Sequence, residues 1–243
     1  MSLIHPTALV SDKAAIGNNA TIGPYVVIGD VTLGNNVIIH PHVVIDDGVI
    51  IGHNVEVFPG AFIGKQPKGA GALARQPTFE KRVCIGDDCS IGPNAVIFYD
   101  VEIGNNTLLG DGASIREQCK IGSKCIISRY VTINYATTIG DRTKIMDSTH
   151  ITGHAIIGND VFISTLVSST NDNVVRGAQT DSLLGPVIED NVLIGASATL
   201  LPGVHLGIGC TVAAGSVVTK NVPQGVLVAG MPARFVRMMD LNA

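Results

Sequence analysis

The chain has 243 residues, 46% hydrophobic and 15% charged, with a net charge of −4 and a pI near 5.9. That balance supports a long buried core and argues against disorder; the absence of a basic stripe argues against nucleic-acid binding. The opening Met1-Ser2-Leu3-Ile4-His5-Pro6-Thr7 shows no basic-then-apolar leader, and no apolar run approaches the roughly 18 residues of a membrane span. Five cysteines without CxxC or paired spacing fit a reduced compartment, so a cytoplasmic protein with no membrane contact is expected.

Taken in chain order, the predicted elements repeat every six residues. Aliphatic residues recur at Ile4, Val10, Ile16, Ile22 and Ile28, slip by one, and resume from Leu33 to Ile63. A break follows at 64–84. The series then runs unbroken from Ile85 to Ile163, breaks again at 164–187, and continues from Ile188 to Val218. Neither a helix nor an ordinary strand has this period. The residue after the aliphatic one is often glycine, as at Gly17, Gly86, Gly122 and Gly195, and is expected to permit a tight corner. The residue two before it is small, as at Cys89, Ala95, Thr107, Cys119, Cys125 and Thr143. Each hexad therefore reads as one short strand and one turn, and three hexads make a triangular coil. The prediction is an all-β solenoid of roughly ten coils stacked at about 4.8 Å, with two ejected loops. Residues 1–220 form the solenoid and 221–243 a C-terminal closing segment.

These repeats resemble the hexapeptide-repeat acyltransferases with a left-handed parallel β-helix. The resemblance implies the handedness, a homotrimer, and active sites between neighbouring prisms. The ending from Val222 through Gly230-Met231-Pro232-Ala233-Arg234 resembles that of members using acetyl-CoA. It implies donor contacts along the last coils at Ser164, Gly195, Ala196 and Ala214, with Lys220 and Arg234 near the phosphates. No metal is implied.

The first half resembles UDP-N-acetylglucosamine acyltransferases. However, the position three after His150, where those enzymes carry a catalytic histidine, is Gly153, and the chain stops shortly after Arg234 where they carry a helical region. The stretches Leu109–Glu117, Val131–Tyr135 and Lys144–Gly153, with the loop around Ser168–Asn173, more closely resemble N-acetyltransferases of nucleotide-linked amino sugars, especially dTDP-3-amino-3,6-dideoxyhexoses. Acetyl transfer to a dTDP- or UDP-linked 3-amino sugar is the expected activity; a sugar O-acetyltransferase and a non-catalytic scaffold are the alternatives.

Residues 18 apart stack on adjacent coils. Tyr99, Glu117 and Tyr135 share one turn column, and Phe98, Arg116 and Asn134 the next. Asp111, Arg129 and Asp147 share a third, where mutual ion pairing is expected. His150 should point outward from a flat face and titrates in the useful range. Candidate catalytic residues are therefore His150, Glu117, Asn134 and Asp147, with Glu117 and Asn134 read as polar corner residues. Tyr135 and the first loop's Lys68 and Arg75 are candidate substrate contacts; the loop is basic enough to hold phosphate. His150 and His154 lie four residues apart and no third histidine is evident, which argues against a zinc-dependent carbonic anhydrase.

Overall fold

A computed structural model describes residues 2–69, 76–172 and 183–239. Its strands are mostly two residues long and pair in parallel, forming three sheets of 13, 11 and 10 strands wound as a left-handed β-helix. The first sheet starts at Leu3–Ile4, the second at Leu9–Val10 and the third at Ala15–Ile16. Ser114, for example, pairs with Thr132, and Thr132 with His150. The one-residue slip is real: Ala15 pairs with Thr32, one short of the regular step, because the corner after Ile28 has lost a residue.

The core is a column of aliphatic residues on each sheet, with the small residues beside them. Ile115, Ile133 and Ile151 are buried, as are Cys89, Cys119, Cys125 and Cys210 at small positions. Threonines at small positions bond to the backbone of the next coil, as Thr143 Oγ1 does to Gly158 O at 2.8 Å. No buried side-chain polar atom among the described residues lacks a partner.

The glycine after each aliphatic residue works differently from the expectation. The left-handed backbone at most corners belongs to the residue two later, often Asn or Asp, such as Asn19, Asn36 and Asn106. Gly17, Gly86 and Gly140 are not left-handed. A Cβ at Gly140 would sit 2.6 Å from the carbonyl carbon of Gly158, so these glycines are small because the next coil lies directly against them. A polar ladder follows at the corner between the third and first sheets. There Asn105 Oδ1 accepts the Asp87 N–H (2.9 Å), and Asn159 Oδ1 accepts the Asp141 N–H (2.9 Å). This is why Gly-Asp and Gly-Asn pairs recur.

The two loops are shorter than 64–84 and 164–187. The strand before the first extends to Lys65, and the chain rejoins the prism at Val83. The second loop starts later still. Ser168–Ser169 is a strand pairing with His150 and Thr199. Ser169 occupies an aliphatic core position at 2% exposure. Its hydroxyl accepts the Thr152 N–H (2.9 Å) and donates to His150 O (3.3 Å). A serine in an isoleucine slot hid this coil from the repeat.

The closing segment extends the first sheet with Val226–Ala229 and folds back as the antiparallel strand Arg234–Met238. Cys84 alone of the five cysteines is part-exposed, on the outer side of the third sheet. Burial pushes the Cys119 and Cys210 thiols up to about 12. Titration of the native protein with a thiol reagent should therefore modify Cys84 rapidly and the other four only on unfolding; rapid reaction of Cys119 would contradict the packed core.

Candidate functional site

Both loops leave the prism at the corner joining the second sheet to the third, because the strands at Phe62–Lys65 and Ser168–Ser169 lie in the second sheet and those at Val83–Ile85 and Val187–Ile188 in the third. Long insertions at one corner of a rigid repeat mark that corner as the place where function concentrates. The first loop packs back onto it. Phe79 stacks on Tyr99 at 5.9 Å, and Gln118 Nε2 donates to Thr78 Oγ1 at 3.3 Å. Tyr99 is buried, its hydroxyl donates to Asp47 O at 2.9 Å, and desolvation raises its pKa far above the ordinary phenol value. Tyr99 thus anchors the loop.

One coil on, the corner carries a cationic and aromatic cluster. Arg116 lies over the Phe98 ring (5.2 Å) and the Tyr135 ring (6.0 Å), and Lys65 Nζ lies over the other approach to Phe98 (4.7 Å). Arg116 donates to Glu117 through Nε (2.9 Å) and Nη2 (3.1 Å). Glu117 is 0% exposed. It is therefore not the solvated corner residue that its sequence position implies: its carboxylate is sequestered beneath Arg116 and orients that guanidinium. Asn134 is half-buried beside it, and Tyr135 meets His154 edge-on at 5.3 Å. Gly153 is buried under Tyr135. A Cβ there would stand 2.6 Å from the Tyr135 ring, so this ring occupies the space that a histidine at 153 would need. From the second loop, Asn171 Nδ2 donates to Gly153 O at 3.3 Å.

His150 lies on the adjacent flat face. The outward column of the second sheet is apolar at Val44 and Phe62 but polar at Ser114, Thr132, His150, Ser168 and Thr199. His150 is half-buried. Its Nδ1 is 2.7 Å from Thr132 Oγ1, and desolvation lowers its pKa. The ring is therefore neutral near pH 7 and carries no carboxylate partner among the described residues.

Asp147 sits on the far edge of that face, at the corner between the first and second sheets. It is hydrogen-bonded by Ser128 and ion-paired with Arg129 at 2.6 Å. These bonds hold its carboxyl below the usual range, which suits a structural pairing and disfavours a base. The expected three-residue pairing is only partly formed: Asp111 is exposed and acts on Arg129 through its charge. Ser164, Gly195, Ala196 and Ala214 line the same corner over successive coils. Gly195 is not an open approach for a ligand, since its Cβ would stand 2.8 Å from Ala214 Cα. Gly215, another of the small residues expected to let a ligand approach the backbone here, is left-handed with nothing within 4 Å of its Cβ position. Lys220 and Arg234 share a cleft of about 320 Å³ with Thr219 and Phe235 at the C-terminal end. Two cations in one cleft suit phosphate groups.

The structure thus separates the candidates into three places joined by the second sheet. Glu117, Asn134 and Tyr135 share the loop-bearing corner. His150 is on the face itself. Asp147 lies with Ser164, Gly195, Ala196 and Ala214 on the opposite corner, whereas Lys220 follows the second-sheet strand Val217–Val218 on the loop-bearing side and Arg234 begins the antiparallel strand on the first sheet. Lys68 is exposed on the first loop, and Arg75 lies outside the described residues. Arg116, Phe98 and Lys65 were not singled out from sequence. The only signal was the shared column of Phe98 and Arg116. Among the described residues no group of three His, Cys, Asp or Glu side chains is placed to hold a metal.

Fold and repeat together define a hexapeptide-repeat protein with a left-handed β-helix. A family model described as the hexapeptide repeat of succinyl-transferase matches residues 187–220, and one described as the GMPPB C-terminal domain matches residues 78–179. The chain is 57% identical over 54 residues to a 2,3,4,5-tetrahydropyridine-2,6-dicarboxylate N-acetyltransferase of Clostridium perfringens, a match spanning 22% of this chain and 23% of that protein. It is 34% identical over 126 residues to an acyl-[acyl-carrier-protein]–UDP-N-acetylglucosamine O-acyltransferase of Chlamydia pneumoniae, spanning 49% of this chain and 44% of that one. Both matches cover less than half of the relative. The solved structure of Arabidopsis UDP-N-acetylglucosamine acyltransferase superposes with a TM-score of 0.61 at 25% identity, covering 99% of this chain and 75% of that one.

Proposed function

We propose that the protein is a trimeric acyltransferase that moves an acetyl group from acetyl-CoA to the amino group of a dTDP- or UDP-linked 3-amino sugar. The acyltransferase part draws support from relatives that transfer acyl groups, one to an amine and one to a nucleotide sugar. The observation that carries the choice of an amine is His150. It is neutral, half-buried, bonded to a threonine rather than a carboxylate, and placed on the face between the loop-bearing corner and the donor corner. A sugar hydroxyl needs a strong, oriented base to become nucleophilic. A neutral amine does not.

In this reading the amine nitrogen attacks the thioester carbonyl, forming the C–N bond. Collapse breaks the C–S bond, and the proton lost by nitrogen ends on the departing thiolate. His150 accepts that proton in passing, through whichever ring nitrogen Thr132 leaves free, and positioning supplies much of the rest.

The test is thiol release from acetyl-CoA with paired amino and hydroxyl sugars on each nucleotide, with wild type and His150→Gln. Turnover with an amino sugar is expected, falling about a hundredfold in the variant, the low end for loss of a general base. Because burial lowers the His150 pKa, the neutral base persists below the ordinary histidine value. Beyond the acid limb set by the sugar amine itself, kcat/KM for the acceptor should therefore steepen below that value, and this extra step should vanish in His150→Gln. Turnover confined to hydroxyl sugars would replace this reading with O-acetylation.

A further inference from the structure

The Arg116 cluster points to a property of the acceptor. A guanidinium has five N–H groups in a planar fork. Glu117 takes the Nε side with one Nη2 hydrogen, and the guanidinium carbon lies 5.2 Å from the Phe98 ring and 6.0 Å from the Tyr135 ring. The outer edge, carrying the Nη1 hydrogens and the second Nη2 hydrogen, has no further partner among the described residues. Arg116 has 27% of its side chain exposed. Burying a carboxylate completely is costly, and it is worthwhile where it fixes a cation in one orientation. Lys65 adds a second positive charge over the same Phe98 ring.

We propose that Arg116 binds an oxyanion, a phosphate or a carboxylate, carried by the acyl acceptor, and that Glu117 is the positioning residue that aims it. The outer edge of the fork offers two parallel N–H groups, the geometry that both oxyanions accept. The face links the two functions. Arg116 lies at the corner just after the strand Ser114–Ile115, and Ser114 lies two coils from His150, about 9.6 Å by coil spacing. A sugar with an anionic substituent spans that gap. That the anion belongs to the acyl acceptor rests on the acyl-transfer reading. The anion site itself does not.

The test is calorimetric binding at low ionic strength with four probes: dTDP against thymidine, and D-glucuronate against D-glucose. Arg116→Gln takes a cation away from the buried Glu117 carboxylate and is at risk of misfolding, so the working variants are Arg116→Gln/Glu117→Gln, which removes both charges, and Arg116→Lys, which keeps the charge without the fork. The wild type should bind one anionic probe over its neutral partner. The double variant should lose that preference by at least about tenfold, and Arg116→Lys should keep part of it. Preference for dTDP identifies the oxyanion as phosphate, and preference for glucuronate as carboxylate. No anionic preference in the wild type, or full preference in the folded double variant, overturns the proposal. Arg116-dependent anion binding without acetyl transfer to any amino or hydroxyl sugar would overturn the acyl-transfer reading and leave the anion site standing.

Discussion

Arg116→Met should lower the free energy of unfolding by about 3–5 kcal/mol, the range for removing one partner of a buried ion pair. The effect comes from what remains. Glu117 is fully buried, and its carboxylate oxygens accept bonds at 2.9 and 3.1 Å from Arg116. Methionine fills part of the volume and supplies neither charge nor donor. Arg116→Met/Glu117→Leu should recover most of the loss, because two apolar side chains leave no charge to solvate. Denaturant melts of the wild type, both single variants and the double variant would give the coupling energy. Additive losses would show that Glu117 is satisfied by something other than Arg116.

Ile133→Ala should cost about 2–5 kcal/mol, the usual range for truncating a buried aliphatic residue that leaves a cavity. Ile133 is fully buried and stacks between Ile115 and Ile151 in the second-sheet column. A solenoid coil touches only its neighbours, so the cavity breaks stacking on both sides of a middle coil. The same change at Ile4, 44% exposed on the first coil, should cost far less because little burial is lost. Comparing the two melts checks that the aliphatic column, and not the corners, carries the stability. Equal losses would contradict it.

The solenoid was legible because its signal is redundant. The aliphatic residue, its small neighbour and its glycine recur in phase over most of the chain, so a single slip at Ile28 or a break at Gly64 does not erase the period. The reason for the glycines was not legible. Sequence shows that they recur, and only the coil spacing shows that they avoid the next backbone while Asn and Asp take the left-handed corner. Ser169 shows the same limit, since a hydroxyl in a core slot is recognisable only once the Thr152 amide is seen to bond to it.

The site was legible as columns but not as chemistry. Stacking residues 18 apart placed Arg116 beside Phe98 and Glu117 beside Tyr135. Which of them faces water depends on side-chain direction at the corner. Glu117 turned inward and Arg116 folded over it, so Glu117 is not the polar corner residue expected. Gly153 was visible as a departure from the acyltransferase pattern, but its cause, the Tyr135 ring above it, required the fold.

The central claim is acetyl transfer to an amine. The most direct measurement is to incubate the protein with acetyl-CoA labelled in its acetyl carbonyl and a dTDP- or UDP-linked 3-amino sugar, and to follow the label by NMR. The label is expected as an amide on the sugar nitrogen, at a rate that falls in His150→Gln. Label found in an ester, or only as free acetate, would contradict it.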